Sequence, residues 1–442
     1  MREQTDEEPL LQVRNLTKHY SITSGFLKSE VGRVRAVDGI DFDVYPGETL
    51  GIVGESGCGK STAATTLLRL EELTDGQILF DGEDIAEYEP DELKLFRRRA
   101  QMVFQDPESS FDPRMSVGES IGEPLLVQGM SDRGRRRRIV ENLLERVGLS
   151  ASDYNRYPHE FSGGQKQRIG LARALSVNPD LIVADEPVSA LDVSIQSEIL
   201  GLIAGLQEEF GLSILVISHD MGVIQQICDR VAVMYLGQIV EMGPTETVFD
   251  DPQHPYTRAL LGAIPTPDPS QRGLGEELSG DVPSPSQPPS GCRFHTRCPE
   301  VIPPEGYEFE QRVWRRMMDL RVRLSEGRVD RESYAELVVS ERDAYEESDE
   351  VPDDEVRMKV REEFDFPDRF DDVRTEETVT EALGYLAADD PERAADVLNE
   401  AFPTPCEQRS PTLANTPVGH PAACLLHEPS TETEPEQLAT DD

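Results

Sequence analysis

Three short, nearly continuous apolar runs punctuate the first half of the chain: Leu50-Gly51-Ile52-Val53, Leu181-Ile182-Val183-Ala184 and Ile214-Leu215-Val216-Ile217. Each has the length of a strand and lacks the alternation of a half-exposed sheet. Each therefore predicts a strand buried on both faces, as in a parallel sheet. Farther on the period changes. Phe309, Val313, Trp314, Met317, Leu320 and Leu324 recur at helical spacing, as do Val379, Leu383 and Leu386, then Ala394, Val397 and Leu398. These stripes predict helices packed into a small subdomain and separated by a charged link near Glu341 to Glu355. No run approaches the roughly 20 apolar residues that span a bilayer, and no charged-then-apolar leader opens the chain. Any membrane path is expected to come from partners.

Each buried run ends in residues that carry chemistry. After the first comes Gly54-Glu55-Ser56-Gly57-Cys58-Gly59-Lys60-Ser61, a complete G-x-x-x-x-G-K-S phosphate loop. In such a loop the glycines let successive backbone N–H groups converge on phosphates at a helix start. Lys60 would reach the β- and γ-phosphates, the Ser61 hydroxyl would ligate Mg²⁺, and Thr62 would add a hydroxyl at the α/β end. The second run ends in Asp185-Glu186, one carboxylate to hold Mg²⁺ and the next to polarise an attacking water. The third ends in Ser218-His219-Asp220.

About a hundred residues after the phosphate loop the chain reads Phe161-Ser162-Gly163-Gly164-Gln165, and Asp185-Glu186 is followed by Ser189-Ala190-Leu191-Asp192. This order of motifs resembles the ATPases of the ABC superfamily. The resemblance makes Ser162 to Gln165 the signature turn, Asp192 part of a D-loop, His219 the switch histidine at the γ-phosphate and Gln105 the Q-loop glutamine that touches Mg²⁺ and water. Glu186, His219 and Gln105 are thus the expected catalytic set. Ser61, Gln105 and Asp185 are the expected Mg²⁺ set. Tyr20 is a candidate to stack on adenine through its ring face. The implied fold is α/β: a P-loop ABC ATPase core with a mixed sheet, an antiparallel β subdomain and a helical subdomain, then a small C-terminal domain carrying an acidic helical insertion. In this superfamily the signature serves the nucleotide of the opposite subunit. With one phosphate loop and one signature present, a second ATPase subunit is expected to supply the other half.

Four further stretches narrow the resemblance to the dipeptide/oligopeptide importer ATPases: Tyr157 to Arg168, Ala184 to Ser194, His254-Pro255-Tyr256-Thr257-Arg258-Ala259-Leu260-Leu261, and Gly291-Cys292 through Cys298-Pro299. Gly25-Phe26-Leu27-Lys28 is similar to an insertion in the second ATPase of such pairs. The implied partners are two permease subunits and an extracellular binding protein, with the chain peripheral on the cytoplasmic face of the cell membrane. Each permease would lay a short helix into a groove near Phe104 and Phe111. Nickel or sugar cargo, or a soluble non-transport ABC ATPase, are the alternatives. The expected boundaries are a nucleotide-binding domain at 8–250 with its helical subdomain at about 88–165, a C-terminal domain at 251–300 and 404–428, an insertion at 301–403 and a disordered acidic tail at 429–442.

Composition adds the setting. Across 442 residues the formal net charge is -43, and arginine carries most of the basic charge. Self-repulsion of that size opposes compaction in dilute buffer, whereas molar salt screens it within about 3 Å. A halophilic, haloarchaeal cytoplasm accounts for this; an acidic, partly disordered protein is the other explanation. Such a surface argues against nucleic-acid partners, and the run Arg133 to Arg138 reads as a solvated helix start.

Of six cysteines, Cys58 lies in the phosphate loop and Cys228 is expected in an apolar helix. The other four are Cys292, Cys298, Cys406 and Cys424. Four cysteines in a cytosolic protein suggest a metal site rather than disulfides. The family resemblance implies a 4Fe–4S cluster on thiolate ligands. Zinc, or plain structural cysteines, are the alternatives.

Overall fold

The computed structural model describes residues 8–24, 29–107, 110–189, 191–263, 280–341 and 351–427. Gly25 to Lys28, Ala190 and the 429–442 tail lie outside the described residues. The chain forms two compact units that divide between Pro288 and Pro289.

In the first unit β1 (Leu11–Ser24) and β2 (Ser29–Val44) form a long antiparallel pair, joined across β1 by β4 (Asp75–Phe80) and then β5 (Glu83–Asp84). Between them the chain enters a second sheet through β3 (Thr49–Val53), followed by α1 (Lys60–Leu67). After β5 come α2 (Pro90–Arg99), β6 (Ala100–Val103), α3 (Val117–Val127), α4 (Arg133–Arg146), α5 (Gly163–Leu175), β7 (Leu181–Asp185), α6 (Val193–Phe210), β8 (Ser213–Ser218), α7 (Met221–Ile227), β9 (Arg230–Tyr235), β10 (Gln238–Pro244), α8 (Thr245–Asp250) and α9 (Pro255–Gly262). Strands run in the order β10-β9-β3-β8-β7-β6, parallel except for the antiparallel β9–β10 pair. Every residue of β3, β7 and β8 is buried, as the continuous apolar runs predict for strands covered on both faces.

Helices α3, α4 and α5 make the helical subdomain. Ser116 starts α3 with a reciprocal cap: its hydroxyl accepts from Glu119 N at 3.3 Å, and Glu119 Oε2 accepts from Ser116 N at 3.0 Å. The arginine run is the exposed first half of α4, capped by Asp132, with Arg137 paired to Glu141 at 2.8 Å. Cys228 differs from expectation. It follows α7 as its C-cap instead of lying within the helix, because the chain turns there to enter β9 two residues on.

The second unit is built from α10 (Gln311–Ser325), α11 (Arg331–Glu341), α12 (Asp353–Glu363), α13 (Val373–Ala387), α14 (Pro391–Ala401) and α15 (Pro405–Gln408), with a two-residue hairpin, β11 (Ala414–Asn415) and β12 (Pro421–Ala422). The stripe on α10 is buried through Trp314, Met317, Leu320 and Leu324. Phe309 stands just outside the helix and stacks on Trp314 at 5.3 Å, a hydrophobic staple across the helix start. Phe402 meets Phe309 at 5.8 Å and Trp314 at 6.5 Å, edge to face, which closes the aromatic centre of this unit. The charged link is shorter than its sequence suggests. Asp353, Asp354 and Glu355 form the acidic first turn of α12, where they face the positive end of the helix dipole.

Trp314 is the sole tryptophan and reports on this centre. Phe402→Ala is expected to lower the stability of the unit by about 3–5 kcal/mol. The check is a fall in the urea midpoint of Trp314 fluorescence; an unchanged midpoint would show that the ring is dispensable.

Candidate functional site

Parallel register brings the chemistry together. Val103 pairs with Ala184, Asp185 with Ile217 and Val53 with Ser218, so β3, β6, β7 and β8 end at one edge. The next residues are Gly54, Gln105 two positions on, Glu186 and His219. A ligand site outside the carboxyl ends of parallel strands is the general expectation for open α/β sheets.

The phosphate loop spans β3 to α1. Gly59 has φ +108, and a Cβ there would lie 1.9 Å from the Ala36 carbonyl oxygen, so only glycine closes this turn. Cys58 is buried while Ser56 and Gly57 sit exposed at the crest. Lys60 is 5% exposed, and its Nζ donates to Gly54 O at 2.7 Å and Glu55 O at 2.9 Å. Ser61 Oγ donates to Asp185 Oδ1 at 3.1 Å. A hydroxyl and a carboxylate side by side make an oxygen pair suited to Mg²⁺, a hard cation. Burial raises the Asp185 carboxyl above its ordinary value of 3.8; the Ser61 bond opposes this, Glu186 adds to it and Lys60 opposes it.

Glu186 is gripped from both sides. Gln105 Nε2 donates to its Oε2 at 2.6 Å, and His219 Nδ1 lies 2.9 Å from its Oε1. With a carboxylate as acceptor, that ring nitrogen carries the hydrogen. The residue also holds an uncommon φ of +46, fixed by its N–H donating to Ile217 O at 2.8 Å. A carboxylate side chain leaning on two donors is oriented for taking a proton from water.

Tyr20 is 37% exposed on β1, its hydroxyl donating to Glu71. Lys18 Nζ stands 4.8 Å from its ring centre. Burial and then Glu71 raise the phenol, while the Thr62 hydroxyl lowers it, which places Thr62 beside Tyr20. Glu71 therefore underlies the candidate adenine platform, a residue that no sequence motif marks.

The signature begins α5. Ser162 is its N-cap: its Oγ accepts from Gln165 N at 3.4 Å and its N–H donates to Gln165 Oε1 at 3.0 Å. Gly163 and Gly164 form the first turn, whose N–H groups point out of the helix start. Asp192 is the N-cap of α6 without a side-chain cap bond.

Phe104 is 42% exposed and lines a cavity of about 220 Å³ together with Leu70, Pro107, Gln167 and Arg173. Phe111 is buried at 6% exposure and is absent from that lining, which corrects its expected place in the groove.

In the second unit, Cys292 N donates to Cys406 O at 2.7 Å. Gly291, at φ +64, allows this approach, since a Cβ would stand 2.4 Å from the same oxygen. Burial pushes the Cys292 thiol up to about 12. It raises Cys298 well above its usual value, and Cys292, Cys406 and Cys424 add to that by repulsion. Cys292, Cys406 and Cys424 thus all lie near enough to Cys298 to act on its charge. Their donor chemistry suits a cluster, but among the described residues no three His, Cys, Asp or Glu stand together in a geometry that could hold a metal ion.

A phosphate loop, a strand-end carboxyl pair and a serine-glycine-glycine-glutamine helix start, arranged on this sheet, define an ABC-type ATPase. Residues 37–189 match the family described as ABC transporter, 240–303 the oligopeptide/dipeptide transporter C-terminal region, and 311–419 a domain of unknown function, DUF8228. A putative peptide import ATP-binding protein of Brucella ovis is 53% identical over 296 residues, covering 67% of this chain and 91% of that one. The oligopeptide transport ATP-binding protein AppF of Bacillus subtilis is 52% identical over 303 residues, covering 67% and 92%. This chain belongs to the family of ATP-binding proteins of peptide ABC importers. It is an ATPase that uses ATP and Mg²⁺. Among the described residues no helix is long and apolar enough to cross a membrane.

The Asp185 shift has a sign. A carboxyl raised on folding binds its proton more tightly in the folded state, so stability falls as pH rises from 3.8 through the raised value and stays reduced at neutral pH. Asp185→Asn is expected to raise the melting temperature at pH 7 without Mg²⁺ while abolishing Mg²⁺-dependent hydrolysis. A lower melting temperature would show that the charge stabilises the fold.

Proposed function

We propose that the chain works as one half of a two-ATPase sandwich on two permease subunits, at the cytoplasmic face of the membrane, importing dipeptides or oligopeptides delivered by an external binding protein. The observation that carries this is the Glu186 carboxylate between Gln105 and His219, at the strand ends that also present Lys60, Ser61 and Asp185.

Lys60 releases its two loop carbonyls to meet the β- and γ-phosphates. Ser61 and Asp185 hold Mg²⁺, which when bound neutralises developing charge on the phosphates. Glu186 takes the proton of the attacking water, with Gln105 and His219 fixing its orientation. Ser162 and the N–H groups of Gly163 and Gly164 meet the γ-phosphate held by the other ATPase subunit, and Asp192 lies on the same dimer face. Tyr20 carries adenine. The groove at Phe104 takes a permease helix. Its support is Gln167, 3% exposed, whose Nε2 has no partner among the described residues and suits a free carbonyl in the last turn of an inserted helix.

Three finer readings go with this. The chain is the second ATPase of a pair, its acidic surface is adapted to a salt-rich haloarchaeal interior, and Cys292, Cys298, Cys406 and Cys424 would have to draw closer together than they stand here to ligate a 4Fe–4S cluster, with zinc as the other metal. The -43 net charge supports the second of these.

Purification of the tagged chain from membranes in molar KCl is expected to bring down two permeases and a second ATPase. Recovery of ribosomal proteins instead would contradict the transport reading. The same anaerobic preparation should contain iron and sulfide and absorb visible light, and a colourless, iron-free sample would remove the cluster. Its melting temperature should climb with KCl. In that complex Glu186→Gln should bind ATP normally and hydrolyse it about 10²- to 10⁴-fold more slowly; wild-type turnover would sink the assignment of the base.

A further inference from the structure

The phosphate loop is tied to a segment of chain that none of the nucleotide motifs includes. Glu55 N–H donates to Tyr256 Oη at 2.9 Å, across 201 positions of sequence. Tyr256 is fully buried on the first turn of α9, and its ring lies 4.7 Å from that of Tyr235, the last residue of β9. Burial, reinforced by Cys58 and Glu55, raises the phenol far above its usual value, so the oxygen stays a neutral acceptor.

The anchorage behind Tyr256 is equally specific. Glu241 on β10 is completely buried, and its two oxygens accept from Gln253 N at 2.6 Å and His254 N at 2.9 Å. His254 Nδ1 then accepts from Tyr256 N at 3.1 Å, capping α9. A buried carboxylate that meets two backbone N–H groups fixes where the His254-Pro255-Tyr256 corner sits, and the cap fixes how Tyr256 leaves it. The corner is thus a rigid bracket fastened to the core sheet, ending in one oxygen atom at the loop.

We infer that Tyr256 is a positioning residue for nucleotide binding: through Glu55 it holds the first peptide of the phosphate loop in the conformation that receives phosphates. The peptides around Glu55 are clamped from two sides, by Tyr256 at its N–H and by Lys60 at its carbonyl and that of Gly54. When Lys60 turns to the phosphates, Tyr256 keeps its hold. This rests on the reading of Gly54 to Ser61 as the nucleotide site. It gives the corner a role in ATP affinity rather than in cargo or permease contact.

The test compares the full wild-type chain with Tyr256→Phe, which removes one oxygen and keeps the ring. Loss of a neutral hydrogen bond of this kind is expected to weaken equilibrium Mg-ATP binding about three- to tenfold. The KM for ATP should rise by a similar factor, with kcat at saturation changed less than about twofold and the melting temperature held within about 2 °C. Amide exchange should speed up over residues 54–58 while the α9 amides keep their protection. Unchanged affinity and loop exchange would overturn the proposal. So would a lowered melting temperature with faster exchange along α9, because the hydroxyl would then serve only packing. Lys60→Ala is the separate control: it should lose ATP binding, and if it binds like wild type the nucleotide-site reading falls and the proposal with it.

Discussion

The carboxylate of Glu186, held at 2.6 Å by Gln105 and at 2.9 Å by His219, is the interaction on which the rest of the site depends. It requires β6, β7 and β8 to be adjacent, parallel and in register, since one donor leaves each flanking strand. A slip of one residue in a parallel pair would turn the side chains of a strand to the other face and part the carboxylate from its donors. Close packing on both faces of β7 and β8, with polar residues at the strand ends, holds that register. Packing thus sets the geometry: the register of three neighbouring strands decides which donors meet the Glu186 carboxylate.

The same edge places Lys60 and Ser61 against Asp185 through β3, but it does not bring Ser162 there. The polar bonds of Ser162 are made within its own helix start, with Gln165. A signature at the N-terminus of α5 is a set of outward N–H groups in search of an anion. That is the physical basis for assigning it to the nucleotide of a second ATPase subunit.

Much of the site was legible in the sequence because strand-end motifs are local: an apolar run fixes the strand, and the next residue fixes the chemistry. Gly54 to Ser61, Asp185-Glu186 and His219 fall where their runs end. Long-range partners were not legible. Nothing near Glu55 announces Tyr256, and nothing near Tyr20 announces Glu71. In the second unit the strong stripe of α10 could be read, whereas α12 buries only Val356 and Val360 among charged neighbours and merges with the acidic link before it. Phe111 was misplaced for a related reason: an aromatic after the Q-loop can face the groove or the core, and its 6% exposure comes from tertiary packing that no local pattern encodes.

The central claim is that catalysis needs two chains, because the carboxylate site and the signature are separate half-sites. It is tested most directly by ATP hydrolysis per chain, measured as protein concentration is varied and as the second ATPase subunit is titrated in. The account predicts activity that climbs with the concentration of one or the other and vanishes on dilution. Activity per chain that stays constant while light scattering reports a monomer would contradict it.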